Sequence, residues 1–236
     1  MPIKPDGMMM MNDGVVHESA THLPSKKIQR DTFHHGDLRR ALLVSAWEVI
    51  EECGAASTSL REVARRNGVA ASSALHHFGD KTTLLAAVAE EGFRRLTMSA
   101  AAASEGVTDK KEHLRRIFLA YVRFALDHPA IFKLMHSTLI TPHSRFPTLL
   151  ETSVNTFKRT KEVMQGYLEP FGPIDKLGSD VWAFWSAADG MSSLLITFPD
   201  GERPTRVAED ELILNLLDVV LLGLAEKCRQ RAAAAS

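Results

Sequence analysis

The chain has 236 residues, of which 45% are hydrophobic and 24% are charged, so it is long enough to bury a core and to divide into one small and one larger domain. Its 28 Lys+Arg and 29 Asp+Glu residues nearly cancel, which excludes a strongly basic chain and leaves only local clustering to attract nucleic acid. Neither a run of about 18 apolar residues nor a signal-peptide layout occurs, which predicts a cytoplasmic protein with no membrane partner.

The two ends of the chain differ from the rest. Residues 1–30 mix Pro, Gly, Asp, His and Met without a period and end in Lys26, Lys27 and Arg30, so we expect a disordered, basic-ended arm. Residues 231–236 are likewise expected to form a disordered tail. Between the ends almost every segment has a helical period, and no window alternates as a strand does, which predicts an all-α fold.

The first two helices have clear start and stop signals. Helix one is predicted to begin at Asp37, a good N-cap, and to end at Gly54. Helix two is predicted to begin after Ser59 in a capping box, because Glu62 follows three residues later and can reach back to the Ser59 amide. Gly68 ends helix two, since glycine readily adopts the left-handed conformation of a tight turn.

A third short helix follows that turn. It is predicted from about Ala71 to His77, and the break at residues 78–80 precedes a long fourth helix capped by Asp80. Val69 fills the corner between the two short helices, and Ala64 is a small residue where they approach most closely. Two short helices joined by a glycine turn, with a small residue at the point of contact, are typical of a helix-turn-helix unit.

The remaining predicted helices are separated by glycine- and proline-containing breaks. They are expected near residues 80–103, 109–127, 129–140, 146–168, 175–198 and 205–230.

A helix-turn-helix pattern alone does not establish DNA binding, because many all-α proteins contain short helices joined by glycine. The setting favours DNA binding: a basic arm precedes the unit, the three helices close at Gly79, and a long apolar helical segment follows. In that case helix three can lie in the major groove while helix two and the neighbouring helix N-termini hold phosphates.

At these residues the sequence resembles the TetR family of transcriptional regulators. The resemblance extends from Phe33 to Leu96 and is carried by HHGDLRRALLVSAWEVIEECG, SLREVARRNGV and HHFGDKTTLLAAVAEEGF. Further along, HPAIFKLMH and FWSAADG are similar to a subgroup with a Trp-His-Gly pattern. Trp185 and Gly190 match that pattern, whereas Asp189 stands where the subgroup has His.

The resemblance implies a homodimer that binds a palindromic double-stranded DNA operator and represses transcription until a small-molecule effector binds the second domain. The implied domains are the arm at 1–30, a helix-turn-helix DNA-binding domain at 31–80, a ligand-binding and dimerisation domain at 81–230 and the tail at 231–236. Positions that face bases or the groove in the family correspond to Ala71, Ser72, Ser73, Leu75 and His76. Positions near phosphates correspond to Thr58, Arg61, His77 and Lys81.

Two residues depart from the family pattern. Leu75 replaces the usual Tyr, so we expect only apolar contact there, for example with a thymine methyl group. Ala70 replaces a Ser N-cap, whose loss should weaken helix three by roughly 1 kcal/mol. None of Ser72, Ser73 and His76 has the bidentate fork that Arg offers guanine, so specificity is expected to depend on DNA shape and on the arm, which can either enter a minor groove or remain a solvated tail.

The larger domain is rich in large apolar residues, which at helical spacing are core residues first. A ligand cavity is nevertheless expected in this family, and the residues assigned to it are Phe118, Tyr121, Met135, Phe157, Trp182, Trp185 and Asp189. No partner for Asp189 can be named from the sequence.

A dimer interface is predicted from the last two long helices. Residues 211–224 are apolar around much of the helix, and Ala183, Ala187 and Gly190 form a small-residue stripe that permits close approach of another helix. A twofold four-helix interface of residues 180–197 and 209–226 explains both features, and a packed monomer core is the alternative.

No cofactor, metal site or enzymatic activity is predicted. His128, His136 and His143 are interrupted by prolines and so do not form a compact ligand set on one helix, and Cys53 and Cys228 have no metal or redox spacing. No catalytic or phosphate-binding motif occurs at a meaningful spacing. The alternatives to a DNA-binding regulator are a small-molecule binding protein with a vestigial helix-turn-helix and a helical-bundle enzyme.

Overall fold

In the computed structural model, residues 35–235 are described, with side chains from Leu38 to Ala234. These residues form α-helices and short 3₁₀ turns and contain no strand, so the predicted all-α fold is confirmed. The helices are α1 (His35–Ser57), α2 (Leu60–Arg66), α3 (Ala71–Phe78), α4 (Lys81–Ala103), α5 (Lys110–Asp127), α6 (Pro129–Met135), α7 (Pro147–Leu168), α8 (Leu177–Thr197) and α9 (Glu209–Ala235). The 3₁₀ turns are Thr138–Ile140, His143–Arg145 and Glu169–Phe171.

Helix α4 connects the two ends of the fold. It packs against α1 and α3 near its start and against α5, α6 and α7 along its length. Buried residues such as Leu84, Val88, Phe93 and Leu96 recur around most of its circumference, which is what a helix needs when neighbours lie on several sides. The core is therefore continuous from the short N-terminal helices into the larger helical part.

The α4–α6 contact is unusually close. A Cβ atom on Gly92 would lie 2.7 Å from Met135 Sδ and 3.1 Å from Ile131 Cγ2. The β-branched Ile131 side chain cannot easily move away. Gly92 thus permits the short α6 to lie directly on α4.

Several helix ends differ from their predicted positions, most clearly in α1 and α6. Helix α1 begins at His35 rather than Asp37 and continues to Ser57, although Gly54 interrupts it with φ 77° and ψ 160°. Helix α6 ends at Met135, whereas the sequence predicted a helix to residue 140; a separate 3₁₀ turn covers Thr138–Ile140.

The predicted disordered tail at 231–236 is wrong for the residues that the structure describes, because α9 continues to Ala235. Arg231 donates hydrogen bonds of 2.9, 3.1 and 3.2 Å to the Asp180 carboxylate at the start of α8. This contact between residues far apart in the sequence has no local signal. The predicted arm at 1–30, with Lys26, Lys27 and Arg30, lies outside the described residues.

The segment before α8 is also held against α9. Gly172 has φ 151°, and a Cβ atom there would overlap the Cys228 carbonyl oxygen. Any side chain at this position would collide with backbone, so glycine is required. The Cys228 thiol is buried beneath this contact, whereas Cys53 is exposed.

Across residues 35–235, none of the helices combines the length and the apolar character that crossing a membrane requires.

The Asp180–Arg231 pair provides a test of how the C-terminal end is held. Asp180 is only 4% exposed. We therefore expect Arg231→Ala to lower the free energy of unfolding by about 2–4 kcal/mol, because it leaves a buried carboxylate without its partner. Urea denaturation measures the change.

The matched control is Lys111→Ala, which removes an ion pair to Asp218 that is half-exposed on both sides and should cost less than about 1 kcal/mol. Adding Asp180→Asn to the Arg231 variant should recover part of the loss. Equal losses for the Lys111 and Arg231 variants would contradict a structural role for the buried pair.

Candidate functional site

The turn between α2 and α3 has the geometry of a helix-turn-helix. The Gly68 backbone is left-handed, with φ 66°, and the Gly68 and Val69 amides donate to the carbonyls of Arg65 and Ala64 at 3.1 Å. Ala64 is buried, and Val69 is packed against the core as predicted. These contacts set the direction in which α3 leaves α2.

The predicted capping box at the start of α2 is only half formed. The Ser59 hydroxyl accepts the Glu62 amide at 3.2 Å, but the Glu62 carboxylate does not return to the Ser59 amide. It accepts two 2.8 Å hydrogen bonds from Arg65 and one of 3.0 Å from Arg66. Charged pairs of this kind are stronger than a bond to a neutral amide, and hydrogen bonds from Arg65 and then Arg66 lower the pKa of Glu62 to about 2.

Two of the arginines on α2 are therefore neutralised. Arg65 pairs with Glu62, and Arg66 pairs with both Glu62 and Glu52 of α1. Arg61 differs from them, because it is exposed and makes no ion pair with any side chain described between Leu38 and Ala234. Its charge is directed to solvent, and it is the arginine of α2 that is available to an anion.

One face of α3 is exposed and the other is buried. Ala74 and Phe78 point into the core, and the Arg39 guanidinium covers the Phe78 ring at 5.2 Å. The sequence-predicted base-facing residues lie on the other side: Ala71, Ser72, Leu75 and His76 are exposed, and Ser73 is half-buried. Leu75 is 53% exposed, so its apolar side chain faces solvent.

The N-termini of α3 and α4 differ in their caps. Ala70 occupies the N-cap of α3 and makes no side-chain cap bond, as the sequence predicted. Asp80 caps α4 by accepting the Thr83 amide at 2.7 Å. This bond is the main reason that the pKa of Asp80 is lowered.

Lys81 and His77 lie beside the exposed face of α3. Lys81 Nζ donates to the Ala56 carbonyl at 2.6 Å, which holds one of its three ammonium hydrogens and leaves the charge close to the surface. His77 is half-buried, and its ring lies 5.7 Å from that of His76.

The prediction that Thr58 contacts a phosphate conflicts with its position. Thr58 is 1% exposed, and its hydroxyl donates to the Gly54 carbonyl at 3.0 Å. The kink at Gly54 frees that carbonyl from the α1 hydrogen-bond pattern, so the nearby threonine satisfies it. The Thr58 side chain is consequently a structural group in this conformation.

A cavity of about 610 Å³ lies among α4, α5, α6, α7 and α8. Six of the seven sequence-predicted cavity residues line it: Tyr121, Met135, Phe157, Trp182, Trp185 and Asp189. The seventh prediction, Phe118, is wrong. Phe118 has no exposed surface and packs edge-to-face on Phe184 at 5.3 Å, so it is a core residue.

The sequence missed several residues of this cavity. Phe93, His136 and His143 also line it. The sequence pattern raises the two histidines only as metal-ligand candidates, and the residues that the structure describes contain no group of three or more candidate ligands. Their spacing around Pro142 contains no signal that both face one cavity.

A second cavity, of about 360 Å³, adjoins the first and shares Tyr121 and Trp185 with it. Threonines of α4 and α7 line one wall, where the Thr97 and Thr156 hydroxyls share a 2.8 Å hydrogen bond. Arg159 and Glu162 are exposed residues in its lining. Together the cavities form a mostly apolar space with few polar groups, which is the usual character of a small-molecule site.

Asp189, which had no partner from sequence, lies beside Tyr121 and His136. The Tyr121 hydroxyl donates to Asp189 Oδ1 at 3.4 Å, and His136 Nε2 lies 3.9 Å from the same oxygen. Burial, and then the charge of Asp189, raises the pKa of Tyr121. Burial, with a smaller contribution from His136, lowers the pKa of His143.

The outer faces of α8 and α9 remain uncovered in the single chain. Ala183, Gly190 and Leu194 are exposed on α8, and Val219 and Leu222 are both more than 60% exposed on α9. Contiguous apolar exposure of this kind marks an interaction surface. These residues lie within the two segments that the sequence predicted for an interface.

Two family models match the chain, and together they cover more than half of it. The model described as "Bacterial regulatory proteins, tetR family" matches residues 42–88. The model described as "Tetracyclin repressor-like, C-terminal domain" matches residues 114–218. No curated protein sequence matches the chain.

Solved structures share the fold. A Rhodococcus sp. RHA1 protein of unknown function is 29% identical, with 83% of this chain and 99% of that one covered and a TM-score of 0.71. The TetR family transcriptional regulator PfmR from Thermus thermophilus is 23% identical, with coverage of 77% and 97% and a TM-score of 0.55. The fatty acid degradation regulator FadR from Bacillus halodurans is 14% identical, with coverage of 78% and 94% and a TM-score of 0.62.

The missing cap at Ala70 leads to a stability prediction. We expect Ala70→Ser to raise the free energy of unfolding by about 0.5–1 kcal/mol, since a serine hydroxyl can accept a first-turn amide of α3. Ser59→Ala should lower it by about 1 kcal/mol for the opposite reason. Urea denaturation compares the three proteins, and a destabilising Ala70→Ser change would contradict the cap assignment.

Proposed function

Because the chain belongs to the TetR family of bacterial transcriptional regulators, we propose that it binds a palindromic operator as a homodimer and represses transcription until a small molecule occupies its cavity. The observation that carries the proposal is the exposed face of α3, directed outward by the Gly68 turn. A short helix with one side in the core and the other side in solvent fits the major groove of B-DNA.

The proposed DNA contacts divide into two kinds. Ala71, Ser72, Ser73, Leu75 and His76 face the base edges. Arg61, His77 and Lys81 hold the phosphates on either side and fix the register. The base-facing set offers hydroxyl, imidazole and apolar groups but no guanidinium, so recognition of guanine through a bidentate pair does not contribute.

We propose that residues 31–80 bind DNA and that residues 81–230 bind ligand and form the dimer. The small residues of α8 support the dimer, because open space surrounds both Gly190 and Gly223 of α9. A partner helix can approach closely at these glycines, and Leu194, Val219 and Leu222 then become buried. The twofold axis sets the spacing of the two α3 helices, which must match successive major grooves about 34–36 Å apart.

Helix α6 connects the cavity to the DNA-binding helices and can transmit a movement between them. Its C-terminal end carries Met135 and His136 in the cavity wall. At its N-terminal end, His128 Nδ1 lies 3.1 Å from Glu51 Oε1 of α1 and the His128 ring packs edge-on against Trp47. A helix of seven residues spans only about 10 Å, so a ligand that displaces one end of α6 also moves the other end. The population then shifts to a form in which the two α3 helices no longer match the operator.

Selection from a pool of randomised duplexes tests the proposal. The purified chain should enrich an inverted repeat at roughly physiological salt, because a twofold dimer presents two identical α3 helices. Sequencing of the bound fraction measures the enrichment. A folded sample that enriches no sequence, or only a direct repeat, would contradict an operator-binding dimer.

The two arginines Arg61 and Arg65 provide a matched comparison for phosphate binding. Arg61→Ala should reduce affinity about tenfold for all duplexes and should flatten the slope of log affinity against log salt by about 2 per dimer, because each protomer loses one phosphate contact. Arg65→Ala should change the slope less, since Glu62 already neutralises Arg65. Fluorescence anisotropy over a range of salt concentrations measures both, and equal slopes for the two variants would refute the assignment.

A further inference from the structure

The cavity among α4 to α8 contains a charged group without a counterion of fixed charge. The lining of this cavity includes no lysine, arginine or glutamate. Apart from its two histidines, whose charge depends on protonation, Asp189 is therefore the one ionic residue in the lining. The Asp189 side chain is 45% exposed, so it is open to an occupant of the cavity. Within the described part of the chain, the one residue that can pair with it as a cation is His136, at 3.9 Å.

The polar groups around Asp189 include more hydrogen-bond acceptors than donors. His136 Nδ1 lies 3.1 Å from the Phe132 carbonyl, which can only accept, so Nδ1 carries a proton, and in the neutral form of the ring Nε2 is an acceptor. That acceptor faces the Tyr121 hydroxyl at 3.4 Å, which also faces Asp189 Oδ1 at 3.4 Å. One phenolic hydrogen serves two acceptors, and both distances are long for hydrogen bonds.

Aromatic rings line the same cavity as this donor-poor cluster. Tyr121 and Trp185 lie 5.6 Å apart at a steep angle, and Phe157 lies 6.1 Å from Trp185 and 6.2 Å from Trp182. The faces of such rings carry partial negative charge and attract cations. The Trp182 side chain is 66% exposed, so this group of rings is accessible from outside.

The remaining titratable groups of the wall do not supply the missing positive charge. Burial and the proximity of His136 lower the pKa of His143, which favours its neutral ring. Burial raises the pKa of Tyr121, so the phenol keeps its proton. The cavity wall therefore contains one carboxylate, more hydrogen-bond acceptors than donors, and electron-rich aromatic rings.

We propose that this cavity binds an amphipathic organic cation, a protonated amine attached to an apolar body, with the ammonium donating to Asp189 and His136 Nε2 between the tryptophan rings. The proposal rests on the proposed function, because it names the chemical class of the effector. The apolar body extends toward the adjoining cavity, which shares Tyr121 and Trp185 and offers the side chains of Leu96, Ile117 and Val163.

An amphipathic anion is the contrasting possibility. It would be held by Arg159, an exposed residue in the lining of the adjoining cavity. The larger cavity favours the cation, since an anion there would face Asp189 and the ring faces. The two classes make opposite predictions for ligands that differ only in their head group.

Isothermal titration calorimetry with three probes tests the proposal: naphthylmethylamine, naphthylmethanol and naphthylacetate. At about pH 7.5 the amine is protonated and the acetate ionised. The amine should bind at least about tenfold more tightly than the alcohol, and the acetate should bind most weakly, because the cavity provides acceptors and negative charge. The titration uses the full chain without DNA, so its result does not depend on whether an operator exists.

The variant Asp189→Asn should bring the affinities of amine and alcohol to within about twofold of each other, since the neutral amide removes the charge at similar size. Binding of the alcohol should stay within about twofold of its original value. The matched control is Glu169→Gln, which neutralises an exposed carboxylate outside the lining of both cavities and should leave the preference for the amine unchanged. Circular dichroism checks that both variants remain folded.

Equal binding of amine and alcohol, preference for the acetate, or no binding of any probe would each overturn the cation assignment. The function proposed above fails on a separate observation, the absence of an enriched inverted repeat. A protein that selects an operator but does not prefer the amine keeps its function as a regulator and loses only this ligand class.

Discussion

The burial of α4 on several sides is the constraint on which the rest of the structure depends. One helix contributes to the core beneath α1 and α3 and also to the walls of both cavities. Because Gly92 brings α6 into direct contact with α4, the helix that contacts α1 through His128 cannot move without disturbing the cavity wall. The two cavities and the short helices α1 to α3 therefore share one packed interior, and packed interiors tend to switch between discrete arrangements.

Features of this fold that follow from neighbouring residues could be predicted from the sequence. The Ser59 cap, the left-handed Gly68 and the Asp80 cap are local signals, and each lies where the pattern predicted. Features set by distant contacts could not be predicted. The Arg231–Asp180 pair joins residues far apart in the chain and turns an expected tail into the last turns of α9.

The same distinction holds within the candidate sites. The residues that the family pattern assigned to the groove lie on the exposed side of α3, because burial there follows helical spacing from Ala74 and Phe78. The family pattern did not reveal that Thr58 turns inward to satisfy the Gly54 carbonyl. Nor could it show that Phe118 lies in the core while His136 and His143 face the cavity, since side-chain direction depends on how α5, α6 and the loop after α6 pack together.

Under the proposed groove contact, the exposed Leu75 has a consequence for the DNA itself. A leucine has no hydrogen-bonding group, so in the major groove it distinguishes bases by shape and by the C5 methyl group of thymine. Cytosine that has been methylated at C5 presents the same methyl group at the same position. Binding through Leu75 would then respond to the epigenetic state of the operator as well as to its sequence, in a way that a tyrosine hydroxyl on a phosphate would not.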